Sequence, residues 1–315
     1  MIKFLENLSP TVKGIGLAFL ATLGMANVYV FSKAALLEVN FFQFQFFWFA
    51  FALLWNGIYI STTGLIRKIP ELEKRSVLNL VILGILELSA ATTMFLSIQL
   101  AENPAIVSFL SNATPIFVTL LGIRFLGERF NTIEAIGILL TIGGVVMITY
   151  TRDMTLEQFF GDGSGWILLS SLFLSISIVF AKKNIKKLHP SILTINRVVY
   201  LFLFGLISVL IRQDTLLIPK TAIFNMIAGS ILGPFLTGLA MYSALKFIEA
   251  SRTMIIQATR GLFVLIGSMI YLSIVPTYLQ VFGGIVTILG VIIMTWGKIR
   301  KRSVKRKRGP IEPRS

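Results

Sequence analysis

The 315-residue chain is 55% hydrophobic and only 14% charged, carries a net charge of +15 and contains no cysteine. Its mean hydropathy is +0.83, and a water-soluble domain cannot hide so much apolar side chain because its own surface must still be wetted. The absence of cysteine excludes disulfides, thiolate chemistry and cysteine-ligated metals.

Apolar stretches of about 20 residues, the length that crosses a bilayer, recur from end to end. In chain order they predict spans at 14–36, 40–61, 76–100, 104–126, 131–151, 163–184, 190–212, 221–245, 251–273 and 277–298. The leading MIKFLENLSPTVKG has no short apolar segment followed by a small-residue cleavage site, so the first span is expected to be retained. Asn103-Pro104, His189-Pro190 and Pro276 open the fourth, seventh and tenth spans, since proline suits a first helical turn. Gly127-Glu128-Arg129-Phe130-Asn131 separates spans four and five.

Charge sets the orientation. Nine Lys and Arg residues lie at or beyond Lys298. This basic tail reads as a juxtamembrane anchor attracted to anionic lipid; no folded reading surface accompanies it, so nucleic acid is not an expected partner. With the tail in the cytoplasm, 23 basic residues fall on that side, against Lys33, Arg152, Arg212 and Lys220 opposite. Such asymmetry fixes topology. An even count of spans then places both termini in the cytoplasm, and the short loops point to a bacterial inner (plasma) membrane. Asp153, Glu157 and Asp162 mark the 152–163 loop as external.

The chain also aligns with itself. Val30-Phe31-Ser32-Lys33 matches Val179-Phe180-Ala181-Lys182, and Gly137-Ile138, Gly143 and Met147 match Gly284-Ile285, Gly290 and Met294, with Glu102 falling on Glu249. Five spans per half turn the second copy over, and equivalent loops carry opposite charge accordingly. The expected fold is therefore an all-α integral membrane protein of ten transmembrane helices, arranged as two inverted five-helix repeats around a central cavity. Its boundaries are 1–152 for the first repeat, 163–298 for the inverted second and 299–315 for the basic cytoplasmic tail. Inverted repeats suit secondary carriers, because two similar halves can open a shared site to either side in turn.

Ala101-Glu102-Asn103-Pro104-Ala105, Thr114-Pro115-Ile116-Phe117, Phe125-Leu126-Gly127-Glu128-Arg129 and the glycine-rich fifth span from Gly137 to Met147 follow in an order that resembles the drug/metabolite transporter superfamily, in its EamA-type members. The resemblance runs to about Trp296. It implies proton-linked or exchange-type export of small metabolites, often amino acids or drugs. The second half departs from the pattern, with Leu262 opposite Pro115 and Val275 opposite Glu128.

Ionisable residues inside a membrane need a partner or water. Glu87, Arg197 and Arg260 fall within spans. Glu87 is a candidate for proton coupling or amine binding, and Arg260 for a solute carboxylate or phosphate. The structural alternative is an ion pair of Glu87 with Arg260 or Arg197, and Arg197, nearer the interface, reads as structural. Gln257 shares a face with Arg260, and Ser108, Asn112 and Pro115 share one in span four. Asn27, Gln43 and Tyr242 complete a candidate cavity lining, although interhelical hydrogen bonding also explains such residues. Pro115 either breaks span four or kinks it. The aromatic second span, Phe41 to Phe51, reads as a lipid-facing or packing surface, with solute stacking as the alternative. Glycines recurring every seven residues in spans five and ten read as helix packing.

The function these features support is export of a small amphiphilic metabolite, an amino acid or drug-like compound, by alternating access. The partners are that solute, the bilayer and a coupling proton. No catalytic residue, metal or cofactor is expected, and oligomeric state is open. The alternatives are an exchanger of organic anions or sugar phosphates and, from another class, an intramembrane enzyme, against which stand a single histidine and the lack of any nucleophile with a recognisable base.

Overall fold

The computed structural model describes residues 9–68, 72–100, 107, 110–149, 163–263 and 277–307. Expectations attached to Glu102, Asn103-Pro104, Ser108, Asp153, Glu157, Asp162, Val275, Pro276 and Arg314 lie outside the described residues. The helices are α1 (Pro10–Leu36), α2 (Phe41–Thr62), α3 (Lys74–Leu100), α4 (Ala113–Leu126), α5 (Thr132–Thr149), α6 (Ser164–Asn184), α7 (Pro190–Arg212), α8 (Lys220–Phe247), α9 (Ala250–Ala258) and α10 (Tyr278–Lys307). Seven of them, α1–α3, α6–α8 and α10, are long and apolar enough to cross a bilayer, and α4 and α5 are shorter apolar helices. The described part of the expected ninth span is α9 and its continuation to 263.

Helix starts follow local chemistry. Ser9 accepts from Val12 N ahead of Pro10, and the His189 side chain accepts from Ser191 N ahead of Pro190. Asn40 caps α2 in a capping box, its side chain accepting from Gln43 N while Gln43 accepts from Asn40 N. Gly127, at φ 64°, ends α4 in the left-handed conformation that glycine adopts without strain.

Packing is inside-out relative to a soluble protein. Large apolar side chains such as Leu139, Leu210, Ile211 and Phe224 point outward, while Thr22, Ser32, Thr141, Ser175, Ser177, Thr194 and Thr287 are fully buried. In hydrocarbon the outward residues are solvated and the inward ones bond across or along helices. The aromatics of span two are part of this interior: Phe44, Trp48 and Phe49 are buried, with Phe44 ring centroids 4.9 Å from Trp48 and 5.1 Å from Phe95.

The two halves interlock. α1 packs on α8 and α9, and α6 occupies the equivalent place on α3 and α4; α2 pairs with α7, and α5 with α10. Each helix thus finds its main partner in the other half.

The α5–α10 contact shows the repeat symmetry directly. A Cβ at Gly137 would lie 2.7 Å from Gly290 O, and one at Gly290 2.8 Å from Gly137 O. A Cβ at Gly144 would lie 2.6 Å from Gly283 O, and one at Gly283 2.8 Å from Gly144 O. Between them Thr141 and Thr287 bond back to Gly137 O and Gly283 O, each at 2.8 Å. These reciprocal contacts make 137 equivalent to 283, 141 to 287 and 144 to 290 in the two repeats, while Gly137 touches Gly290 and Gly144 touches Gly283. This differs by one residue from the alignment of Gly137 with Gly284, because Gly283 meets the α5 backbone whereas Gly284 faces the Leu262 side chain.

Span eight is not a plain helix. Pro234 has no N–H and its ring crowds the carbonyl four residues back, so the ladder widens to a π-helix over Ile231–Thr237. Thr237 Oγ1 donates to Leu232 O at 2.8 Å across the wide turn, and Gly24 of α1 faces it, a Cβ there meeting Leu232 O at 2.6 Å.

Gly144→Leu is expected to push α5 and α10 apart and to cost about 1–3 kcal/mol of stability as an overpacked contact. Gly143→Leu, where a Cβ meets nothing within 4 Å, should leave thermal unfolding in detergent unchanged.

Candidate functional site

Glu87, on α3, is fully buried, and its three partners all come from the second half. Tyr242 OH on α8 donates to Glu87 Oε1 at 2.9 Å, Ser177 Oγ on α6 donates to the same oxygen, and Arg197 Nε on α7 lies 3.3 Å from Oε2. That last contact is an ion pair without hydrogen-bond alignment, since neither atom has a hydrogen-bond partner. Of the pairings open in the sequence, the structure makes Glu87–Arg197. Arg197 is turned inward to Glu87 rather than out to the interface. The seam between α3 and α7 explains why: Asn196 Nδ2 donates to Leu80 O at 2.9 Å, and Gly84 leaves room for the Tyr200 ring, so the two helices approach closely beside Glu87.

A second focus lies where spans four and nine are interrupted. Pro115 stands in the first turn of α4, and Ser111 O accepts instead from Thr114 N at 3.1 Å, a tight turn at Ser111–Asn112. In span nine α9 ends at Ala258, and Thr259 N and Thr259 Oγ1 both return to Ile256 O, at 3.0 and 2.7 Å. Leu262 stands where the repeat would place a proline, yet the interruption is kept, with the Thr259 hydroxyl supplying the competing bond. Arg260 Nη2 donates to Ser111 Oγ at 2.6 Å and joins the two interruptions. Asn112 follows Ser111 in the chain and Gln257 stands three residues before Arg260, both buried.

Two sequence candidates sit elsewhere. Gln43 is committed to the α2 cap and to Thr215 O, to which its Nε2 donates at 2.8 Å. Asn27 is on an exposed face of α1, and its amide donates to Leu23 O at 2.9 Å. Neither joins Glu87 or Arg260.

The end of the bundle richest in basic residues holds a network that residue-by-residue inspection of the spans passes over. Left-handed Gly127 turns the chain so that Glu128 accepts from Ala250 N at 2.8 Å, from Ser251 N at 3.2 Å and from the Ser251 hydroxyl. The carboxylate thereby caps α9, where exposed N–H groups favour an anion. The Gly-Glu pair after span four is the sequence signal for this cap, but its target lies more than a hundred residues away. Lys182, at the end of α6, donates to Ile248 O at 2.7 Å and to Leu245 O, closing the end of α8. Arg252 bridges Glu134 at 2.8 Å and Glu249 at 2.7 Å, and Lys298 also pairs with Glu249. Burial alone would raise the Glu249 carboxyl, but Arg252 and Lys298 outweigh it and hold it at about 2. The stability Glu249 contributes is thus present above the ordinary value of about 4.3 and is lost as pH falls toward that lower value.

The EamA-like transporter family profile matches residues 12–150 and 162–296. The chain belongs to the EamA-like transporter family. A WAT1-related protein of Arabidopsis thaliana is 22% identical over 88% of this chain and 79% of its own length. An uncharacterized transporter of Synechocystis sp. is 21% identical over 79% of this chain and 74% of its own, and the uncharacterized transporter YdfC of Bacillus subtilis is 27% identical over 63% and 64%. One solved structure, described as "Crystal structure of protein", superposes with a TM-score of 0.74 at 13% identity, over 90% of this chain and 96% of that one; this likeness concerns the fold. The EamA-like chain is a multi-pass membrane transporter of the drug/metabolite type.

Arg197→Leu leaves the Glu87 charge buried without its cation and is expected to cost about 3–5 kcal/mol. The double replacement Glu87→Leu with Arg197→Leu should recover most of that loss. Thermal unfolding of the single and double variants checks the pair as a cycle.

Proposed function

We propose that this EamA-like protein is a secondary carrier that exports a small amphiphilic metabolite by alternating access, with Glu87 as the proton-coupling group. The observation that carries the reading is the partner set of Glu87, one carboxylate from the first repeat held by Ser177, Arg197 and Tyr242 from the second. When Glu87 is charged, the Arg197 contact draws the halves together. Protonation removes that attraction and converts an acceptor-only group into one that also donates. Proton occupancy therefore biases how the halves sit, which is the requirement for coupling a proton to a conformational exchange.

The basic end is read as cytoplasmic, and the membrane as a bacterial plasma membrane, from the distribution of Lys and Arg. In the described conformation that end is tied by Glu128 on α9, Lys182 on α8 and the Glu134–Arg252–Glu249–Lys298 chain. Opening toward the cytoplasm requires these bonds to part, whereas the Glu87 cluster has to exchange its partners.

Proteoliposomes loaded with a pH-sensitive dye and challenged with a panel of amino acids and drug-like amines test the proposal. Wild-type protein should show solute-dependent proton movement. Glu87→Gln should abolish it while leaving solute–solute counterflow. An unchanged proton response in Glu87→Gln would remove Glu87 from coupling, and the lack of movement of any solute by the wild-type protein would argue against a carrier.

A further inference from the structure

The outer face of α2 carries two grooves, one on each side of a single ridge. Ala50, Leu53, Gly57 and Ser61, with Phe202 of α7 opposite, line a groove of about 600 Å³. Trp55 and Tyr59, with Ile231 and Phe235 of the π-helix in α8, line a second of about 260 Å³. Ile58 and Thr62 line both, so they form the ridge between the two. Protein contacts hold the walls of the second groove: Trp55 Nε1 donates to Ser230 Oγ at 3.1 Å, and the Tyr59 ring meets Phe235 edge-on with 5.7 Å between centroids. A Cβ at Gly57 would meet nothing within 4 Å, and Leu54 and Ile58 are each 51% exposed.

Length, shape and charge identify an occupant. From Ala50 to Thr62 the first groove follows α2 for about 18 Å at 1.5 Å per residue, close to half of the ~30 Å hydrocarbon core, the depth of one leaflet. Two narrow grooves astride one ridge suit a molecule with two chains, whereas a protein helix about 10 Å across needs a single broad one. At the polar mouth Ser61 and Thr62 are exposed, and Gly64, at φ 68°, leads into the short turn Leu65–Lys68, which packs back on α2 and carries exposed Arg67. Asn79 Nδ2 at the start of α3 donates to Asn184 Oδ1 at the end of α6 at 2.8 Å, which sets this mouth at the same end of the bundle as Lys182. Residues 63–75 include four basic and two acidic side chains, and the exposed Arg67, Lys74 and Arg75 pair with no described carboxylate.

We propose that α2 carries a site for an anionic phospholipid of the leaflet at the basic end, with one acyl chain in each groove astride Ile58 and Thr62 and the phosphate at Ser61, Thr62 and Arg67. Any apolar groove on a lipid-facing surface takes up hydrocarbon; the basic turn at its mouth adds the preference for a negative headgroup. The second chain lies against Ile231 and Phe235 of the π-helix, so the lipid bears on the widened turn around Pro234 and couples membrane composition to α8. The site shares no residue with the Glu87 cluster or with the interrupted spans, and its test is independent of transport.

Thermal unfolding of the purified full chain in detergent is measured with dioleoyl phosphatidylglycerol, dioleoyl phosphatidylcholine or single-chain oleoyl lysophosphatidylglycerol added at equal concentration. Phosphatidylglycerol is expected to raise the Tm by about 2–4 °C over detergent alone, and the zwitterionic and single-chain lipids by clearly less. Gly57→Phe fills the larger groove and should lose the rise. Arg67→Gln, on an exposed side chain that leaves folding intact, should lower the effect of phosphatidylglycerol to that of phosphatidylcholine, while Arg124→Gln, at an exposed arginine of α4, should keep it in full. Equal effects of the three lipids, a rise retained in Gly57→Phe or in Arg67→Gln, or a rise lost equally in Arg124→Gln would overturn the proposal. So would light scattering that shows a dimer which Gly57→Phe dissociates, since a second copy of the chain would then occupy this face.

Discussion

Neither half of this chain can complete its own packing. A lone five-helix repeat would expose in hydrocarbon the polar and small-residue faces of its helices, and the structure buries them by exchanging partners: α1 with α8 and α9, α6 with α3 and α4, α2 with α7, α5 with α10. Because lipid is as apolar as leucine, this association depends on close backbone approach and on hydrogen bonds rather than on the exclusion of water. The reciprocal glycine contacts of α5 and α10, a helix of one repeat on its inverted copy, are the plainest case. The Glu87 cluster and the Ser111–Arg260 contact both lie at seams between the halves, and under the proposed carrier mechanism a relative movement of the halves would change their partners.

Ionisable groups are placed on those seams. Glu87 faces three partners across the interface, and the Ser111–Arg260 contact joins the interruptions of spans four and nine. The charged network at the basic end uses carboxylates to cap a helix start and lysine to close a helix end, so its bonds satisfy backbone groups as well as side chains. Such a network ties the helix ends at the basic end of the bundle to one another.

Much of this architecture was legible in the sequence, and what was not has physical reasons. The spans follow from length and hydropathy, and the starts at Pro10 and Pro190 from local chemistry that the structure repeats. The Asn40–Gln43 pattern is a capping-box signature, and it engages the Gln43 side chain because a helix start must satisfy its N–H groups. The choice of Arg197 over Arg260 as the partner of Glu87 depends on how α7 settles on α3 at Gly84, a packing event without a sequence period. The interruption at Thr259 lacks the proline that announces its counterpart at Pro115, and the π-helix at Pro234 needs its neighbour Gly24 to become intelligible. The repeat itself was visible, but its register in the last span was off by one residue, since two adjacent glycines look alike until one of them meets a backbone.

A single introduced thiol gives the most direct reading of whether the interlocked halves really alternate, because the natural chain contains no cysteine. With Ser111→Cys, at the meeting point of the interrupted spans, labelling by a membrane-impermeant thiol reagent is measured in intact cells and in inverted vesicles, at acidic and at neutral pH. Reaction from both faces, with the favoured face shifting as pH changes, is the outcome the inverted-repeat account requires. Reaction confined to one face at every pH would contradict it.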